Sequence, residues 1–200
     1  MKKEYLIFIV AAILAFNLGF NAFPSAKKIT FSAPALLENG KGSLVEFKMS
    51  LRFGQGMTLV NIRNAGFKED AENALRKARN LAESYLGTST SNFDIVLEIS
   101  GNGNEVSGES AGGMFSLAII ALQTGKKLKQ DVAISAAINE FGELEQVGGI
   151  EEKILAAKEA DRKVFLVSKN QPIKEELNVG SGISIIRVKN LKEAVSYMIE

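Results

Sequence analysis

Residues 107–113 read SGESAGG and run directly into MFSLAIIALQ at 114–123. The second stretch has no polar face, so as a helix it must be buried on every side, and the rest of the fold has to be built around it. A serine at the mouth of such a helix has two uses. It can cap the helix, since serine is among the preferred residues for accepting a free first-turn N–H. It can also be a nucleophile. Unpaired N–H groups and the positive end of the helix dipole would then stabilise the oxyanion formed on an attacked carbonyl. The small neighbours Gly108, Ala111, Gly112 and Gly113 would let a substrate backbone come close. The loop lacks the Gly-Lys-Ser/Thr ending of a phosphate-binding loop, which argues against nucleotide binding. The loop by itself leaves both uses of Ser110 open.

Outward from this helix the chain alternates between two periodicities. KKITFSA (27–33) and SLVEFKMSLRF (43–53) alternate apolar and polar residues as strands do, with LENGKG as the turn between them. Residues 54–66 hold another short strand between glycine-bearing turns. From Phe67 to Leu86, Ala71, Ala74, Leu75, Ala78, Leu81, Ala82 and Leu86 recur at helical spacing, which predicts an amphipathic helix. FDIVLEI (93–99) reads as a strand, DVAISAAI (131–138) as another, and FGELEQVGG as a hairpin or loop. IEEKILAAKEA reads as a helix and KVFLVS as a strand. A short helix around IKEELN, the strand ISIIRV and the helix LKEAVSYMIE complete the chain. Strands come first and then alternate with helices, so the expected class is α+β, with mixed sheets and packed helices.

Composition narrows the chemistry. Two hundred residues suit about one domain, and 46% hydrophobic against 24% charged residues supplies a core. The net charge of +1 offers no basic excess, so no nucleic-acid partner is expected. The chain contains no histidine and no cysteine. That removes thiol nucleophiles, disulfides, most zinc sites and every mechanism with a histidine base, and no metal or cofactor is expected. A hydrolase of this composition needs lysine, aspartate or glutamate as its base.

The first stretch reads as a targeting or anchoring element. Lys2 and Lys3 precede YLIFIVAAILAF, twelve residues without a strongly polar group. This length fits the core of a signal peptide, while the nineteen residues from Tyr5 to Phe23 approach the length of a membrane-spanning helix. Asn17 and Asn21 weaken the span, and no clean Ala-x-Ala follows. The expected division is therefore residues 1–26 as a signal peptide or a hydrophobic anchor helix, and residues 27–200 as the domain. Positive charge ahead of the apolar stretch places that domain outside the cytoplasm, secreted or membrane-anchored.

A serine nucleophile without histidine needs another base, and VGGIEEKILAAKEA supplies a candidate in Lys153. It falls in the first turn of its helix, where the dipole disfavours an ammonium ion. Ile150, Ile154, Leu155, Ala156 and Ala157 surround it in sequence and could take it out of water, which lowers a lysine pKa. The alternative is a solvated lysine paired with Glu151 or Glu152. Spacing alone does not decide between them.

Taken together, SGESAGG and GGIEEKILAAKEA resemble the proteolytic domain of the Lon peptidase family. Its nucleophile motif reads roughly Asp-Gly-Pro-Ser-Ala-Gly, and its lysine lies in a Gly-Gly-(Ile/Leu)-(Lys/Arg)-Glu-Lys-x-x-Ala-Ala stretch. Ser110 and Lys153 stand 43 positions apart, similar to the family's spacing, and the resemblance covers roughly residues 55–200. It implies Ser110 as nucleophile and Lys153 as general base, and Ser135 as the hydroxyl that helps hold the lysine. Gly108, Glu109 and Ala111 are the immediate support of Ser110.

Three departures from the family pattern stand out: Ser107 for aspartate, Glu109 for proline, and Ala137 for an acidic residue. Glu109 is expected to raise the Lys153 pKa or to select basic substrate residues. These 200 residues contain no phosphate-binding loop, unlike Lon enzymes, which join this domain to an ATPase. The resemblance thus implies an ATP-independent serine endopeptidase acting on unfolded or flexible polypeptides, with homo-oligomers allowed. The rival from another class is a non-catalytic peptide-binding or assembly module on the same fold.

Overall fold

The computed structural model describes residues 26–63, 66–100, 105–174 and 182–200. The apolar stretch that ends at Phe23 lies outside the described residues, as does most of the expected short helix around IKEELN. Among the described residues, no helix is long and apolar enough to cross a membrane.

Strands β1 (Lys27–Leu36) and β2 (Gly42–Phe53) form the expected antiparallel hairpin, closed by a turn in which the Leu37 N–H donates to the Lys41 carbonyl at 2.8 Å. Their alternation buries Phe31, Ala33, Val45, Phe47, Met49 and Leu51 on one face. Strands β3 (Thr58–Arg63) and β5 (Phe93–Ser100) extend the sheet to the order β1-β2-β5-β3, with short β4 (Gly66–Phe67) outside it. The β3–β5 pair is parallel, which demands a crossover, and helix α1 (Glu69–Leu86) supplies it. Gly87, at φ 63°, ends that helix in the left-handed conformation.

Helix α2 (Gly112–Thr124) is the expected buried helix, with every residue from Gly112 to Leu122 inside. It lies between the sheet and α1. Phe115 meets Phe31 and Phe47 edge-on, with centroids 6.3 and 5.4 Å away, while those two rings stack at 5.5 Å. Such ring pairs add about 0.5–1.5 kcal/mol each beyond the area they bury. On the other side the alanine stripe of α1 lets the two helices approach closely.

The second sheet is parallel, ordered β11 (Ser184–Val188), β10 (Val164–Ser168), β7 (Val132–Ile134). Helix α3 (Ile150–Glu159) covers it, packing Ile150, Ile154 and Ala157 onto Ala133, Phe165 and Val167. Helix α4 (Leu191–Met198) closes the chain, capped by the Asn190 side chain, which accepts the Glu193 N–H at 3.0 Å.

The expected strand DVAISAAI is split. It leaves the second sheet after Ile134 and resumes as β8 (Ala137–Ile138), which pairs with β9 (Leu144–Glu145). The start of α2 causes the break. Gly113 donates its N–H to the Ala136 carbonyl at 3.2 Å, and Ala136 donates to the Ser110 carbonyl at 3.1 Å. Two-residue β6 (Glu105–Val106) leads into this junction.

Candidate active site

A cleft of about 430 Å³ brings the two sequence motifs together. Its lining comes from Ala35 and Leu36 at the end of β1, Ser107–Ser110, Ala137, Glu145–Gly148, and Lys153. A larger cleft of about 1010 Å³ lies elsewhere and contains neither Ser110 nor Lys153. Size is only a default indicator of an active site. The smaller cleft is where a hydroxyl and a desolvated amine face common space.

Ser110 sits in a 3-10 turn, Glu109–Ala111, that leads into α2. The cap positions of turn and helix fall on Gly108 and Ala111, and neither is capped by a side chain. The N-cap role for Ser110 is therefore not the one adopted. Ser110 as a residue is half-buried and lines the cleft, while its carbonyl is tied to Ala136.

Lys153 occupies the buried stripe of α3, in line with Ile150, Ile154 and Ala157, and is only 4% exposed. It is not on a solvated face. Burial pushes its ammonium from an ordinary 10.5 down to about 8, against Glu152, whose charge pulls the other way. The expectation that Glu109 raises this pKa gives way to a different arrangement. The Glu109 carboxylate accepts a hydrogen bond from Lys77 of α1 at 3.3 Å, and Glu152 is the carboxylate that acts on Lys153.

Ser135 is fully buried, and its Oγ has no hydrogen-bond partner among the described residues. Alternation places it. Val132, Ile134 and Ala136 enter the main core, whereas Ala133 belongs to the cluster beneath α3, so Ser135 shares the α3 side. An unpartnered buried hydroxyl costs about 1–3 kcal/mol, which makes it a site for a side chain that needs a hydrogen bond.

The glycines divide. Gly108, at φ 82° and ψ 155°, faces open space, and its N–H donates to the Asp70 carboxylate at 2.7 Å. Gly112 and Gly113, expected to admit substrate, are buried. A Cβ on Gly112 would lie 3.1 Å from the Ile138 side chain, and one on Gly113 would lie 3.3 Å from the Ala136 carbonyl. Packing, rather than substrate access, requires glycine there. Ala111 is buried too.

Sequence reading missed two polar residues that shape the cleft. Asp70 holds the Ser107–Ser110 loop through Gly108. Gln171, 3% exposed, grips the cleft-lining Val147 peptide from both sides, accepting its N–H at 2.8 Å and donating to its carbonyl at 3.1 Å. In the sequence Gln171 is only the last of four polar residues, SKNQ (168–171), that follow an apolar run, and nothing marks it out. Among the described residues, no cluster of three or more carboxylates is arranged to hold a metal ion.

Comparison with known proteins identifies the family of the chain. The family described as the Lon protease (S16) C-terminal proteolytic domain matches residues 44–200. The Lon protease of Lachnoclostridium phytofermentans is 29% identical over 163 residues, covering 78% of this chain and 20% of that protein. The archaeal Lon protease of Archaeoglobus fulgidus is 25% identical over 159 residues, covering 78% of this chain and 25% of the relative. The peroxisomal Lon protease homolog 2 of Bos taurus is 30% identical over 166 residues, with 78% and 20% covered. The chain thus spans a fifth to a quarter of the length of these relatives.

Proposed function

We propose that this chain, which belongs to the Lon protease (S16) C-terminal proteolytic domain family, is a serine endopeptidase with Ser110 as nucleophile and Lys153 as general base. The observation that carries the reading is a buried lysine lining the same cleft as the serine. Burying an ammonium is costly, and a module that only bound peptides would gain nothing from it.

In its neutral form Lys153 takes the hydroxyl proton as Ser110 Oγ attacks the scissile carbonyl. The resulting oxyanion forms at the start of the 3-10 turn, where the first N–H groups of a helical segment lack intrahelical acceptors. Collapse breaks the C–N bond, Lys153 returns the proton to the leaving amine, and an ester remains on Ser110. Water then attacks that ester with Lys153 again as base, releasing the acid and restoring the hydroxyl. Ser135 supports Lys153 from beneath α3, and Gly108 and Ala111 hold the turn that presents Ser110.

The substrates in this reading are unfolded or flexible polypeptides, whose chain can enter a cleft of about 430 Å³. Hydrolysis by a serine and a lysine consumes no ATP in itself, and cleavage by this chain is read as ATP-independent. Residues 1–26 act as signal peptide or anchor, placing residues 27–200 outside the cytoplasm.

The test is casein cleavage by the full chain and by Ser110→Ala, with and without ATP. Cleavage that is lost in the variant and indifferent to ATP is expected. Turnover persisting in Ser110→Ala would reject Ser110 as the nucleophile, and no turnover by the parent would return the chain to the peptide-binding reading.

A further inference from the structure

A second cleft, about 1010 Å³, plays no part in this chemistry. Lys27, Lys28, Lys126, Lys127 and Lys129 line it, with Asp131 and Glu200 as the acidic side chains among its lining residues. Four of the five lysines are exposed, and Lys129 is half-buried. Lys27 donates to the Gln123 carbonyl at 3.1 Å. The backbone beneath the lysines is fixed. Lys127 and Glu200 exchange N–H···O=C bonds of 3.2 and 3.0 Å, and Lys129 donates to the Met198 carbonyl at 2.9 Å. A chain of net charge +1 has therefore concentrated cations on a preformed surface.

The position of that surface indicates what covers it. Lys27 comes four residues after Phe23, the end of the apolar N-terminal stretch. At roughly 3.6 Å per residue, four residues reach at most about 14 Å, whatever path they take. If the apolar stretch enters a bilayer, Lys27 and Lys28 are held at the depth of the lipid headgroups, and the other three lysines come with them.

We infer that the lysine cleft is a docking surface for the anionic headgroups of the membrane that the N-terminal stretch enters. This rests on the anchoring role proposed above for residues 1–26. Each lysine near an anionic surface strengthens association about fivefold at physiological salt. The orientation has a functional consequence. Strand β1 runs from the lysine cleft at Lys27 to the catalytic cleft at Ala35 and Leu36. Ten residues of strand span about 30 Å, so docking holds the catalytic cleft on the far side of the domain, open to polypeptides away from the bilayer.

The test uses the full chain with vesicles of phosphatidylcholine alone and vesicles containing roughly one third phosphatidylglycerol, an anionic lipid whose headgroups give the vesicle a negative surface potential. Flotation reads association, and amine acylation followed by mass spectrometry reads lysine exposure. Flotation with both vesicles is expected, with Lys28, Lys126 and Lys127 protected severalfold only on the anionic ones. Lys41, at the other end of the hairpin, should label equally on both. Equal labelling of the cleft lysines on both vesicles overturns the docking surface while leaving the anchor intact. Failure to float with phosphatidylcholine overturns the anchor instead. In that case flotation with anionic vesicles, weakened roughly 25-fold in Lys126→Ala/Lys127→Ala, still supports the surface, and its absence overturns it. Protection reproduced by soluble glycerophosphate assigns the cleft to a small anion and overturns the lipid reading.

Discussion

The Ser110 carbonyl accepts the Ala136 N–H at 3.1 Å, so the proposed nucleophile hangs from the segment directly after Ser135. Through alternation that segment presents Ser135 toward the helix carrying Lys153, while Ala136 faces the main core. One short stretch of chain, 133–137, thereby connects the serine turn, the orphaned hydroxyl and the support of the lysine helix.

The first prediction concerns the pH dependence of cleavage. A lysine base works only when neutral, so kcat/KM on a short fluorogenic peptide should rise with pH along a limb centred near 8. Glu152→Gln removes the charge that favours the ammonium and should move the limb to lower pH. Glu109→Gln should leave it in place, because Glu109 faces Lys77. A limb that follows Glu109 and ignores Glu152 would contradict the geometry.

The second concerns stability. The lowered pKa of Lys153 means that the folded state resists its proton. Below about 8 both folded and unfolded chains carry the charge, and the fold bears the full cost of burying it. Between about 8 and 10.5 the unfolded chain binds more protons than the folded one, so this group's contribution to stability rises with pH. The span corresponds to about 3 kcal/mol. Lys153→Met should abolish cleavage yet stabilise the fold by about 1–3 kcal/mol at pH 7, with the gain shrinking as pH approaches 10. Urea denaturation of parent and variant at both pH values measures it. A variant less stable than the parent at pH 7 would mean the lysine is better solvated than its burial implies.

Gln171→Leu tests the opposite wall. It strips two hydrogen bonds from the Val147 peptide and should cost about 1–3 kcal/mol of stability. Because Gln171 positions the wall without touching the reacting atoms, kcat/KM should drop several-fold while the pH limb stays near 8. A shifted limb would instead show that the wall controls the environment of Lys153.

Gly108→Ala tests the loop. The added methyl meets no atom within 4 Å, so any effect comes from the backbone. At φ 82° and ψ 155° an L-residue is strained by about 1–3 kcal/mol. The loop can release this strain by giving up its bond to Asp70, so activity should fall further than global stability. Chemical denaturation beside kcat measures the two separately, and equal losses would make the position merely structural.

Much of this protein is set by residue type and local spacing. The alternation in 27–33 and 43–53, the all-apolar run after Gly113 and the alanine stripe of Phe67–Leu86 each specify an element, because each must hide a face from water. The absence of histidine and cysteine limits a base to lysine, aspartate or glutamate, and the resemblance of two motifs 43 positions apart to the Lon proteolytic domain is what implies Ser110 and Lys153. Periodicity could not show that DVAISAAI breaks at Ser135, since the break is made by hydrogen bonds to residues some twenty-five positions earlier. Nor could it show whether Lys153 was solvated, which partner Glu109 takes, or that Gln171 grips Val147. Those depend on which side chains meet across helices and strands distant in sequence. Desolvation and ion pairing fall off within a few ångströms, so only the tertiary packing decides them.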